Sequence, residues 1–252
     1  MIEFALRRLL VTTLPLLLLV SVIAFGLVYI LPGDVTNAIL GADAPRGARD
    51  ALRAELGLDR PLHMQYLSWL GGFVTGDFGV SLVDRTPIRT TIAQRLPITL
   101  QLLLYTLLLS LAISLPLGIL AARYRHTVID HASSFLAMVG LSVPHFWLGM
   151  LAILFVANNF RGFPTSGYVP FTLDPLASLQ AMLLPALVTS LREAGILMRF
   201  VRSSLLEVMR ADFIRTAVAK GVREQQVLYR HALRNSLIPV ITAAGIQTAG
   251  LA

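Results

Sequence analysis

The sequence predicts an all-α, polytopic membrane protein. Three observations carry that expectation. Of the 252 residues, 56% are hydrophobic and only 14% charged, against about 25% charge in soluble domains. The mean hydropathy is +0.72. Five stretches reach or approach the ~20 apolar residues that cross a ~30 Å hydrocarbon core as a helix.

The first stretch, Leu9–Leu31, holds 23 uncharged residues. It is longer than the apolar region of a signal peptide, and no small-residue cleavage site follows it, so it reads as a retained transmembrane helix. The second, Leu96–Ala122, holds 27 residues without a charge. The third, Ala132–Ala157, contains Pro144 and His145. The fourth runs from about Leu176 to Leu191, meets Arg192 and Glu193, and continues to about Leu205 as a helix leaving the membrane. Arg199 and Arg202 follow on that cytoplasmic extension. The fifth starts near Asn235 and runs to Ala252. Pro116, Pro144 and Pro185 each interrupt a membrane helix.

The connections set the orientation. Arg7 and Arg8 precede the first stretch. The segment 32–95 is balanced, with seven Arg against seven acids. The turn after the second stretch carries Arg123 and Arg125, and the connection 158–175 has one Arg and one acid. Residues 192–234 carry nine basic residues against four acids. Basic and neutral connections alternate, which places the N-terminus in the cytoplasm. The fifth stretch then runs outward, and a sixth helix is expected beyond the C-terminus of this chain. The expected organisation is residues 1–95 as a first helix with an extracytoplasmic segment, and 96–252 as the core with a cytoplasmic loop at 206–235.

Within the extracytoplasmic segment, "RGARDALRAELG" reads as a short helix ended by Gly57. "LHMQYLSWLGGF" mixes aromatic and apolar residues, as a helix lying at the membrane interface does.

The net charge of +7 belongs to these membrane-flanking arginines, so nucleic-acid binding is not expected. With no cysteine there is no disulfide or thiol chemistry. No catalytic constellation and no metal-ligand set stands out. No phosphate-binding G-x-x-x-x-G-K-[ST] loop exists, since Lys220 is followed by Gly221 and Val222.

The stretch "ADFIRTAVAKG" carries Phe213, Ile214, Ala217 and Val218 on one face of a short helix. Gly221 ends it. Arg223, Arg230 and Arg234 then form a polar stripe on a second helix, with Val227, Leu228 and Leu233 as its apolar surface. Asn235 and Ser236 are placed to cap the last membrane helix, with Pro239 early in it. Two readings stand: docking of the apolar face in the groove of a cytoplasmic partner, or rest on anionic lipid headgroups.

"DFIRTAVAKGVREQQVLYRHALRNSLIPV" closely resembles the cytoplasmic loop of permease subunits of binding-protein-dependent ABC importers, in the dipeptide/oligopeptide/nickel branch. That family carries a Glu-Ala-Ala, three residues, then Gly. Here Gly221 matches the Gly, and Arg215, Thr216 and Ala217 stand at the Glu-Ala-Ala positions, with only Ala217 literal. "LPGD" at 31–34, "LGLDRPLHMQYLSWL" at 56–70, "GDFGVSL" at 76–82, "RLPITLQL" at 95–102, "SVPHFWLGM" at 142–150 and "LLPALVTSL" at 183–191 extend the resemblance.

The resemblance implies a type I importer permease fold and half of a translocation pore for peptides. Nickel chelates or glutathione are alternative substrates of the same branch. It implies a second permease subunit, two cytoplasmic ATPase subunits that hold ATP and Mg, an extracytoplasmic substrate-binding protein, and a bacterial or archaeal cytoplasmic membrane with its lipid. This chain itself is then a transport subunit and not an enzyme, with no cofactor of its own. Asp212, Phe213, Arg215, Thr216, Ala217, Lys220 and Gly221 become the ATPase-docking candidates. His145 and Gln247 are the pore-lining candidates. His145 also reads as a neutral imidazole bonded beside a proline kink. Gln247 stands among Ala243, Ala244, Gly245, Ala249 and Gly250, which also suit close helix packing. An ATP-independent transporter or channel is the rival class. It calls for ion-coupling charges inside the membrane segments, where only His145 is found.

Overall fold

The computed structural model describes residues 2–30, 35–41, 44–81 and 84–251. The motif "LPGD" at 31–34 and Leu82 lie outside them. Among the described residues the chain is helical throughout, with a single isolated β-bridge between Val80 and Pro87. It divides into two compact units, Met1–Arg95 and Leu96–Ala252.

In the first unit, α1 (Ile2–Arg8), a π-helical turn (Leu9–Thr13) and α2 (Leu14–Ile30) follow one another without a break. The apolar window Leu6–Leu27 has a mean hydropathy of 2.5 and none of it is buried, as suits a lipid-facing span. The short α3 (Val35–Leu40) leads to α4 (Arg46–Glu55). Gly57 ends α4 as expected: its φ is +68°, and Leu58 N–H closes back on the Arg53 carbonyl at 2.9 Å. α5 (Leu62–Thr75) packs on α2. The Ser21 and Tyr66 hydroxyls pair at 2.8 Å, Tyr29 donates to Gln65, and Phe25 meets the Tyr66 and Trp69 rings at 5.5 and 5.9 Å. Beyond α5, the Ser81 and Thr86 hydroxyls and the Thr86 N–H hold the Asp84 carboxyl below its ordinary range.

The second unit is built on two long helices, α6 (Ile88–Arg123) and α9 (Pro175–Val208). Between them lie α7 (Val128–Ser142) and α8 (His145–Asn159). After α9 come α10 (Asp212–Ala219), α11 (Glu224–Gln226), a second π-helical stretch (Val227–Ala232) and α12 (Leu233–Leu251). α7, α8 and α12 all pack on α9. The interfaces use missing side chains. A Cβ on Gly195 would lie 2.7 Å from the Ala137 carbonyl oxygen, and one on Gly118 would lie 2.7 Å from Val201. Backbones approach this closely only where the side chain is absent.

Among the described residues, three helices are long and apolar enough to cross a membrane, or four when α7 and α8 count as one bent span. α12, the fifth expected span, has 19 residues and includes Asn235, Ser236 and Gln247. Its polar content keeps it outside that group.

Several expectations need correction. The third stretch is not one helix. It breaks at Val143–Pro144, and α7 and α8 meet at 98°. The residue before a proline is pushed out of the helical region, and Val143 has φ −83° and ψ 126°. Pro116 and Pro185, by contrast, lie inside continuous helices. Asn235 and Ser236 do not cap α12, because the helix runs on unbroken from the π-helical stretch before it. Their side chains bond instead to the His231 and Leu233 carbonyls.

Candidate functional site

Two regions of the second unit bear on function, and the sequence reading nominated residues in both.

The first is α10. Its end is a two-bond closure around Gly221, which has φ +76°: Gly221 N–H reaches the Val218 carbonyl at 2.9 Å, and Val222 N–H reaches the Ala217 carbonyl at 3.2 Å. The expected single apolar face is split. Ile214 is 3% exposed, within a core of Ala122, Leu205, Val227, Leu228 and Ala232, and Ala217 packs against that core. Phe213 and Val218 point away and are 47% and 58% exposed. One pair thus fastens α10 to the ends of α6 and α9, and the other faces outward. Among the nominated residues, Asp212 opens α10 and pairs with Arg215 at 3.4 Å on the exposed side. The Thr216 hydroxyl donates to the Asp212 carbonyl. Lys220 is the exposed C-cap. The arginines at 223, 230 and 234 are exposed, and Val227 and Leu228 are buried.

The second region lies between α6, α9 and α12. From Thr106 onward, α6 and α9 run parallel with one offset, while nearer the start of the pair Gln101 donates to Ser178 at 2.6 Å. The Thr106 and Thr189 hydroxyls pair at 2.9 Å across 83 residues. Gly118 meets Val201, and Ala122 shares a core with Leu205, at the same offset. Ser110 therefore comes level with Glu193, and both line one small cavity of about 10 Å³. Ser110 stands near the centre of the uncharged stretch Leu96–Ala122. Glu193 is thus at mid-depth in the bundle. It is 5% exposed, and Arg192 is its ion-pair partner at 3.6 Å.

This corrects the expectation that Arg192 and Glu193 begin a cytoplasmic extension. Further along α9, Arg202 holds Asp130 of α7 through Nε at 2.7 Å and a terminal nitrogen at 2.8 Å. The signal for Glu193 was available in the sequence. Ser190, Ala194, Leu197, Val201 and Leu205 mark a buried stripe, and position 193 falls on it. The charge of the Arg-Glu pair obscured that periodicity.

The two pore candidates are not brought into one lining. Gln247 turns toward the cavity of Ser110 and Glu193, and its buried Oε1 has no partner. The cavity has room for about one water. Ala243 and Ala244 are buried against Leu197, which supports the close-packing reading for these two. His145 opens α8 and lines a separate cavity of about 270 Å³ with Thr165, Ser166, Pro185, Val188 and Thr189. Among the described residues no hydrogen bond of its ring is found.

The second unit is a helical bundle with spans of membrane-crossing length, and a short helix is held at one end by a glycine turn. Residues 114–252 match the family described as the binding-protein-dependent transport system inner membrane component, and residues 1–103 match the N-terminal component of the same systems. The chain belongs to this family of multi-pass membrane proteins. It is 37% identical over 250 residues to the oligopeptide transport system permease protein AppB of Bacillus subtilis, covering 98% of this chain and 79% of the relative. It is 38% identical over 247 residues to the glutathione transport system permease protein GsiC of Salmonella choleraesuis, covering 98% and 78%.

Proposed function

We propose that this chain is the permease subunit of an ATP-driven importer and forms half of a pore for di- and oligopeptides. The observation that carries the coupling role is α10: Ile214 ties it to α6 and α9, while Phe213 and Val218 are left for a cytoplasmic ATPase. ATP and Mg would be held on that partner. Its closure would push α10, and the shared core would pass the displacement into α9 and, through the Ser204–Ser236 hydrogen bond of 3.0 Å, into α12. A second permease subunit would complete the pore. A binding protein would deliver substrate to the extracytoplasmic side, with the N-terminus in the cytoplasm of a bacterial or archaeal cell. Peptide as substrate follows the relatives' names, and the name of GsiC supports glutathione as the second reading.

The rival of an ATP-independent transporter no longer fails for want of membrane charges, since Arg192 and Glu193 lie at mid-depth. Membership of a binding-protein-dependent family is what disfavours it.

The test is purification of the full protein from its native membrane with and without Gly221→Pro. Proline cannot adopt a φ of +76°. The expected result is ATPase subunits with the parent and none with the variant, while both insert. An importer reading fails when no ATPase accompanies the parent.

A further inference from the structure

The most unusual charge in the second unit is Arg192. The offset between α6 and α9 puts it beside Glu193, at the depth of Ser110. From the centre of a hydrocarbon core about 30 Å thick, either surface is about 15 Å away, further than an arginine stem carries its guanidinium. Arg192 is nevertheless half exposed, with a side-chain exposure of 50%. Its nearest approach to Glu193 is 3.6 Å, and among the described residues its guanidinium makes no hydrogen bond. Glu193 faces into the bundle, so most of the guanidinium fork is presented outward.

An exposed fork at this depth is incompatible with lipid. The same stripe of α9 repeats at i, i+7 and i+14 as Pro185, Arg192 and Arg199, all exposed. A stripe with two arginines inside membrane depth calls for water or a partner subunit against it. The cavity of about 270 Å³ adjoins it. Pro185, Val188 and Thr189 line that cavity, and Arg192 follows Thr189 by one turn on the same side. Its other walls carry the His145 imidazole and the Thr165 and Ser166 hydroxyls. A cation with outward-facing donors stands at the end of a mainly apolar cavity, walled by Ile153, Ala181, Leu184, Pro185 and Val188 with a few hydrogen-bonding groups among them, which matches a carboxylate at the end of a chain bearing apolar side groups.

We propose that Arg192 receives the C-terminal carboxylate of the peptide as it crosses the pore, with the body of the peptide in the cavity between α8 and α9. The assignment rests on the peptide-importer reading above. Arg192 is then a specificity-determining residue. Glu193 orients the fork and offsets part of its charge when the pore is empty.

The experiment reconstitutes the complete importer with its partner subunits in liposomes. Uptake of trialanine is compared with uptake of trialanine amide, which lacks the anionic terminus. The acid-to-amide ratio is measured for the parent, Arg192→Gln and Arg192→Lys. The same binding protein serves all three, so its own selectivity cancels between them. The expected result is a fall in the ratio of about 10- to 100-fold for Arg192→Gln, the scale of losing a charge-assisted pair. Arg192→Lys should lie between the two, since it keeps the charge and loses the fork. Binding-protein-stimulated ATP hydrolysis should persist in both variants, showing that they assemble. An unchanged ratio in Arg192→Gln overturns the proposal. So does loss of the second permease subunit from both variants, which makes Arg192 an interface charge. A parent that imports neither peptide while its ATPase subunits are active overturns the peptide reading itself.

Discussion

The Arg202 guanidinium grips the Asp130 carboxylate through two nitrogens, at 2.7 and 2.8 Å, and fastens α7 to α9. The carboxylate also accepts the His126 N–H at 3.0 Å, so it closes the turn that joins α6 to α7. Asp130 is 3% exposed and Arg202 is only partly covered. One carboxylate thus ties together the adjoining ends of α6, α7 and α9. Asp130→Asn should lower stability by about 2–4 kcal/mol, because it leaves a partly buried arginine without its counter-charge. Thermal unfolding in detergent checks this. Arg202→Lys should recover little of the arginine's contribution, since an ammonium cannot make the parallel pair of bonds.

The glycines of α9 and α12 offer a test of packing. Gly195→Ala places a methyl 2.7 Å from a backbone oxygen, which cannot swing aside as a side chain could. The expected cost is about 1–3 kcal/mol. Gly245→Ala has nothing within 4 Å of the new atom and should leave stability unchanged or raise it by up to about 1 kcal/mol through helix propensity. Unfolding midpoints of the two variants, measured side by side, separate the effects.

On α10, adjacent residues should behave in opposite ways. Ile214→Ala empties a core position and should cost about 2–4 kcal/mol. Phe213→Ala removes an exposed ring and should change stability by no more than about 0.5 kcal/mol, yet recover less ATPase on copurification. Equal effects of the two on stability would place Phe213 in the core and contradict the split face.

Gln247 carries a buried Oε1 without a partner. Gln247→Leu removes that atom with little change of volume, so stability should hold or rise by about 1 kcal/mol. A drop of more than about 1 kcal/mol would show that a water fills the small cavity and satisfies the amide.

Helix identity was legible because it rests on composition and period. The span of α6, the short helix α4 ended by Gly57, and the turn at Gly221 all follow from local rules: apolar length, and a residue that tolerates positive φ. The polar stripe of Arg223, Arg230 and Arg234 followed from helical spacing alone. The break at Pro144 was less clear, because Pro116 and Pro185 carry the same local signal and do not break their helices. Which proline ends its helix is therefore not decided by the local signal alone.

By itself, the sequence determined the class of the protein, most of its helices and the short helix ended by Gly221. Those depend on how many apolar residues stand in a row and where glycine interrupts them. Only the tertiary structure decided which side of each helix is covered. It turned Ile214 inward and Phe213 outward on the same turn, and it moved Glu193 from an expected cytoplasmic end to mid-depth. The depth of a charge depends on the offset between parallel helices. Contacts such as Thr106 with Thr189 and Gly118 with Val201 set that offset, and no one segment contains the information.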